Sequence, residues 1–222
     1  SLCETLHRRM LESKYDLNLL SFPNKPIFLP DMLVAIVALR NYARLYDGTY
    51  QDTIDEWLDN AKTKWLHKGT GLLKSMLIGA SRYKSERPLR GSYVALNCAY
   101  LALVDEAFAL EQHEKMKAIM SKDVTIMGKQ VFGIKEYMKK SPKLAFAGGD
   151  AGLVIYGLSA GGTAFALGSS TYFGDWEFRS KLLRTAEMAG GTKKSKGKRS
   201  YRLGELFITG EATALAMRTN IK

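Results

Sequence analysis

The residues best placed to do chemistry in this chain are cations. Thr192-Lys193-Lys194-Ser195-Lys196-Gly197-Lys198-Arg199-Ser200, with Arg202 beyond, sets six positive charges in ten residues between small spacers. Such a run can neutralise phosphates with release of counterions, or grip a carboxylate-rich segment. The same composition also suits a solvated, mobile loop between helices. A second basic stretch runs Lys62, Lys64, Lys68, Lys74, Arg82, Lys84, Arg87, Arg90, and Glu86 is the only acid across it. Arg82, Lys84, Arg87 and Arg90 gather around Pro88, where a rigid loop would present guanidinium forks to an anion. Tyr83 and Tyr93 stand beside them and could stack on bases. The plainer alternative is an ordinary solvated face.

A nucleophile is the next possibility. Gly157-Leu158-Ser159-Ala160-Gly161 fits G-x-S-x-G, with Leu153 to Tyr156 as a short strand and Thr163 to Leu167 as the start of a helix. In that motif the triad follows in the order Ser, Asp or Glu, His. Here His7, His67 and His113 all precede Ser159, and the upstream sequence does not alternate strand and helix as the motif's sheet requires. Ser159 therefore reads as a packing residue.

Metal and phosphate motifs are weaker still. The three histidines are far apart and lack an H-E-x-x-H context. Asp47, Asp52, Asp55 and Glu56 are dense in acid, but Asp52 stands where a calcium loop needs glycine. Gly148-Gly149-Asp150-Ala151-Gly152 has no Lys-Ser/Thr after it and is no Walker A loop. The expectation is a non-enzymatic protein with no catalytic residues, no cofactor and no metal.

The chain has 222 residues, 46% hydrophobic and 25% charged, which suits a single domain able to bury a core. Its 33 basic and 22 acidic residues leave a charge of +11. That excess favours an anionic partner: nucleic acid, an acidic membrane surface or an acidic protein segment. Cys3 and Cys98 form no metal spacing and no disulfide framework, which points to a reducing cytosol. Cys98 reads as a small buried hydrophobe. The chain opens at Ser1 without a signal peptide, as an excised piece of a longer protein would.

The elements that must position these residues are expected to be helices. Five prolines leave long windows uninterrupted. A loose helical face runs to about Leu20. Pro30-Asp31 opens a helix to Tyr46, and Ile54, Trp57, Leu58, Ala61 and Trp65 define the next. These two form an αα-hairpin. Further helices are expected over Gly71 to Tyr83, from Ser92 to about Met120, over Val124 to Lys140 with breaks at Gly128 and Gly133, and over Phe173 to Met188 with Trp176, Leu182 and Leu183 inward. Tyr201 to Met217 is open between helix and hairpin.

At the centre lies Leu144 to Trp176, with seven glycines between Gly148 and Gly168 and only Asp150 and Asp175 charged. Ala151 to Ser170 is long enough to span a bilayer but modest in hydrophobicity, so close helix packing is expected instead. The fold expected is an all-α, irregular multi-helix bundle around this buried segment. It forms one domain over 1–222, with helical hairpins in 1–120, and the glycine-rich segment and basic loop 190–200 in 121–222.

Several of these residues together resemble the cytoplasmic domain of DotM/TrbA-type subunits of type IVB secretion and conjugation coupling complexes. An acid at Asp150, then Tyr156-x-Leu158, Gly161, Phe173 and Trp176 are similar to that family's D-R-x-L-W-Y-x-L…G…F-x-H-W pattern. Ala35, Ala38, Ala43-Arg44, Asp47, Ile54 and Leu58-Asp59, and Lys14-Tyr15 before Leu19-Leu20, extend it. Gly162 departs from the family's arginine, Asp175 from its histidine and Ile155 from its tryptophan. The resemblance implies a mostly helical domain on the cytoplasmic side of a bacterial inner membrane, anchored by spans outside this sequence. It implies docking to a coupling ATPase and recruitment of substrates bearing acidic signals. On this reading Arg82, Lys84, Arg87, Arg90, Lys193, Lys194, Lys196, Lys198 and Arg199 meet the acidic partner. The alternative from charge alone is a soluble, helical, nucleocapsid-like binder of RNA or DNA.

Overall fold

Helix pairing begins where proline and an acid open a helix. A computed structural model of the chain describes residues 1–21, 26–77, 88–139, 144–146, 152–195, 197–201, 213 and 215–219. After α1 (Leu2–Leu11), with a Ser1/Glu4 capping box, β1 (Ile27–Phe28) leads into α2 (Leu29–Leu45), which carries Pro30 and Asp31 in its first turn. A turn with left-handed backbone at Asp47, Gly48 and Tyr50 reverses the chain into α3 (Gln51–Lys64). Leu33, Ile36 and Leu39 of α2 and Ile54, Trp57 and Ala61 of α3 are buried at helical spacing, and Trp57 packs edge-on to Trp65 with ring centroids 5.3 Å apart.

The same construction repeats twice. β2 (Met76–Leu77) precedes α4 (Gly91–Leu101) and α5 (Glu106–Met120); later α6 (Ala160–Tyr172) is followed by α7 (Trp176–Gly190). Helices α2, α4 and α6 pack in series, and each packs against its own hairpin partner. α4 is therefore enclosed, with Val94, Ala95, Cys98, Ala99 and Leu101 all buried. Glycine matters where α6 meets α4: a Cβ on Gly162 would lie 3.1 Å from the Ser92 nitrogen. The window from Ser92 to Met120 is thus two helices. The break is made by the Asp105 side chain, which accepts from the Phe108 N–H at 3.0 Å and starts a new helix.

The all-α expectation is overturned. Nine short strands pair in four small antiparallel sheets among the described residues. The expected helix over Val124 to Lys140 is largely the hairpin of β3 (Ser121–Ile126) and β4 (Lys129–Ile134), closed by Met127 and Gly128 at φ 49° and 76°. Two left-handed residues make a type I′-like turn whose twist suits a hairpin, and this overrides the helical reading. The glycine-rich centre opens with β5 (Leu144–Phe146), β6 (Leu153–Ile155) and β7 (Leu158–Ser159) in one antiparallel sheet before α6 begins. In the Gly71 to Tyr83 window the described part is not helical: Leu73 bridges Leu66, and Met76–Leu77 pairs with β1. Loop 190–200 is likewise a hairpin, β8 (Thr192–Ser195) with β9 (Lys198–Tyr201). α1 stops at Leu11, short of Leu20.

Within each hairpin the helices are joined by a short turn (46–50, 102–105, 173–175), whereas the links between hairpins are long and carry the strands. The antiparallel hairpins therefore set their turns at one end and their strand-bearing connections at the other. No helix among the described residues is long and apolar enough to cross a membrane.

Candidate functional site

The strand-bearing end is built on a buried carboxylate. Glu136, just after β4, has no exposed side-chain surface. Its carboxylate accepts from Arg90 Nε at 2.6 Å and from the Ser92 backbone N–H and hydroxyl, both at 3.1 Å. It thereby caps the positive end of α4, where a carboxylate is favoured. The Arg90 guanidinium also lies over the Tyr93 ring, 4.7 Å from its centroid, and Tyr93 meets Phe28 edge-on. Arg90, expected to face a partner, is instead turned inward onto Glu136.

Beside it the backbone is packed to contact. A Cβ on Gly91 would lie 1.8 Å from the Lys135 carbonyl oxygen. Ser159, the serine of the nucleophile-like motif, does sit between a strand and a helix. Yet it is buried, and its Oγ accepts from the Gly162 N–H at 3.0 Å as the α6 N-cap. Its sheet is antiparallel, so the geometry is that of a cap.

The described part of the basic run is a two-stranded ribbon. Register pairs Lys193 with Ser200, Lys194 with Arg199 and Ser195 with Lys198, and Lys193 and Lys194 are exposed. Between Thr192 and Tyr201 the hairpin contains no acid. The structure thus brings Lys193, Lys194, Lys198 and Arg199 onto one ribbon. Arg82, Lys84, Arg87, Lys196 and Asp150 lie outside the described residues.

The remaining family-like positions have ordinary structural places. Tyr156 is an exposed turn residue with φ 50°, Leu158 is buried in β7, and Gly161 is half-buried in the first turn of α6. Phe173 packs on His113 and Tyr172. Trp176, expected inward, is 59% exposed and lies beside the Arg179 guanidinium.

A second polar cluster joins α5, α6 and α7. His113 is fully buried; its Nδ1 is 3.0 Å from Ser169 Oγ and its Nε2 is 3.3 Å from Asp175 Oδ2. Lys117 Nζ donates to the same Asp175 oxygen at 2.5 Å, and Asp175 Oδ1 accepts from the Phe178 N–H as the α7 N-cap. Burial pushes the His113 pKa down, against the pull of Asp175. Burial works to raise the Asp175 pKa, but hydrogen bonds from Lys117, the Phe178 N–H and His113 outweigh it and hold the carboxyl below its usual range. The Asp175 hydrogen bond raises Lys117. Serine, histidine and aspartate are in contact here, but the imidazole faces Ser169 through Nδ1 and Asp175 through Nε2, the reverse of a catalytic triad, and Ser169 is fully buried within α6. Sequence reasoning missed this cluster because 62 residues separate His113 from Asp175.

No protein-family model matches the chain, and no curated protein matches it. Among solved structures it is similar to the endoglucanase Cel10, a family 8 glycosyl hydrolase from Klebsiella pneumoniae, with a TM-score of 0.51 and 13% identity. The match covers 81% of this chain but only 57% of the hydrolase chain. At that identity the likeness is one of fold, the hydrolase being a toroid of α/α hairpins, and it agrees with the serial hairpins α2–α3, α4–α5 and α6–α7.

Proposed function

We propose that this chain is a binding domain for an acidic polysaccharide, engaged at the strand-bearing end of its helix hairpins. The observation that carries the reading is the register of β8–β9, which sets Lys194 opposite Arg199 on a ribbon free of acids. Like charges directly opposite each other on a two-stranded ribbon destabilise it, and a bound polyanion removes that penalty. A sugar polymer is favoured over other polyanions by the hairpin architecture shared with an endoglucanase. Binding rather than turnover is proposed because, among the described residues, the enclosed carboxylates Glu136 and Asp175 are already held by internal donors.

The same ribbon supports a second reading, recruitment of acidic protein segments to a coupling ATPase in a type IV secretion complex, as the DotM/TrbA resemblance implies. A nucleic-acid partner would use the same charges. Titration of the chain with a polyuronate, a glutamate-rich peptide and a single-stranded oligonucleotide, matched in charge and measured at two salt concentrations, separates the three. The polyuronate is expected to bind tightest. K193E/K194E/K198E/R199E is expected to weaken it at least about tenfold and to flatten its salt dependence. Tighter binding of peptide or oligonucleotide would transfer the function to that partner. Unchanged binding by the charge-reversed variant would remove the ribbon from the site.

A further inference from the structure

We propose that His113, Glu114 and Asp175 form a binding site for a divalent transition-metal ion of the zinc class, at a place where the Lys117 ammonium group already sits. One ligand atom from each of the three residues lies within 4.8 Å of the other two. The site needs no charge to be created for it. Lys117 Nζ stands 2.5 Å from Asp175 Oδ2 and 3.7 Å from Glu114 Oε1, so two carboxylates converge on a positive charge there.

The surrounding bonds orient the ligands as a metal would require. Asp175 Oδ1 is committed to the Phe178 N–H at 3.2 Å, which fixes the carboxylate and aims Oδ2 at the cluster. His113 Nδ1 faces Ser169 Oγ at 3.0 Å, and that hydroxyl lies 3.5 Å from the Ala166 carbonyl oxygen. With its own hydrogen turned to Ala166, the hydroxyl can accept from an Nδ1–H. The proton on Nδ1 then leaves the Nε2 lone pair for the ion, the usual second partner of a metal-bound imidazole. Phe173 and Phe178, with ring centroids 5.6 and 5.7 Å from the imidazole, wall the inner side.

Mixed imidazole and carboxylate donors suit zinc-class ions, and three protein ligands leave a fourth position for water. Ligand atoms around such an ion stand about 3.4 Å apart, from bond lengths of about 2.1 Å. Glu114, whose side chain is mostly exposed, is the group that closes the remaining gap. Lys117 is partly exposed, and its flexible stem lets the ammonium swing out to water when the ion enters.

The test is Zn²⁺ titration of the full chain in competition with a chromophoric chelator, with Co²⁺ absorption as a second readout of coordination. Glu114 is exposed, so E114Q leaves the fold intact, and K117M removes the competing cation. The wild type is expected to take up one Zn²⁺, E114Q to bind at least about tenfold more weakly and K117M at least about tenfold more tightly. No saturable uptake by the wild type, equal affinity in E114Q, or no tightening in K117M would each overturn the site.

Discussion

Arg90 and Glu136 are 46 residues apart in sequence, yet Arg90 Nε lies 2.6 Å from Glu136 Oε1, on a carboxylate with no exposed side-chain surface. This pair ties the start of α4 to the segment just after β4. Removing one partner strands a buried charge. R90M is therefore expected to lower stability by about 3–5 kcal/mol, and E136L alone by a similar amount because it also uncaps α4. The double variant R90M/E136L should recover a large part of that loss. Urea unfolding of the four proteins measures it, and additive losses would show that the two residues act separately.

Gly91 is required for space rather than for its backbone angles. The Lys135 carbonyl oxygen occupies the position a side chain would take, 1.8 Å from an ideal Cβ. G91A is expected to destabilise the chain by at least about 2 kcal/mol, as overpacking against rigid backbone does. Thermal unfolding reads this directly, and a neutral G91A would show that β4 can move away from α4.

Asp105 gives the acid limb of stability a definite sign. Burial works to raise its pKa, but hydrogen bonds from Lys62 and the Phe108 N–H, with the Lys62 charge, hold it below the usual carboxylate range. The unfolded chain then takes up the proton first as pH falls. The stability from this group is full above about pH 3.9 and is lost as pH drops through the folded value. D105A should cost about 1 kcal/mol at pH 7 through loss of the helix cap. That difference should shrink at pH 3, as denaturation curves at the two pH values would record.

The two cysteines should differ sharply in reactivity. Burial pushes the Cys98 thiol up to about 12, whereas Cys3 is partly exposed on α1. Reactivity requires thiolate and access together. A thiol reagent at pH 8 is expected to modify one group quickly in the folded chain and two after denaturation. Rapid labelling of both in the folded chain would mean that α4 opens readily.

Much of the helical frame is legible in the residues. Pro30-Asp31, the Asp47-Gly48 reversal and the spacing of Ile54, Trp57, Leu58 and Ala61 mark α2 and α3, because local geometry and one buried face suffice to define an amphipathic helix. The burial of Cys98 follows in the same way from an apolar run. The strands were harder to see. Val124 to Lys140 has apolar residues at spacings that suit a helix, and only the left-handed Met127-Gly128 turn makes it a hairpin. The strands at β1, β2 and β7 are two residues long, too short to carry any periodicity.

By itself the sequence determined the charge excess, the α2–α3 pair and the position of its turn, since each depends on residues near one another in the chain. Tertiary structure alone decided that Arg90 meets Glu136, and that His113, Glu114 and Lys117 converge on Asp175. Those relationships are made by contacts between segments far apart in sequence, and no local propensity encodes which distant side chain a buried charge will meet.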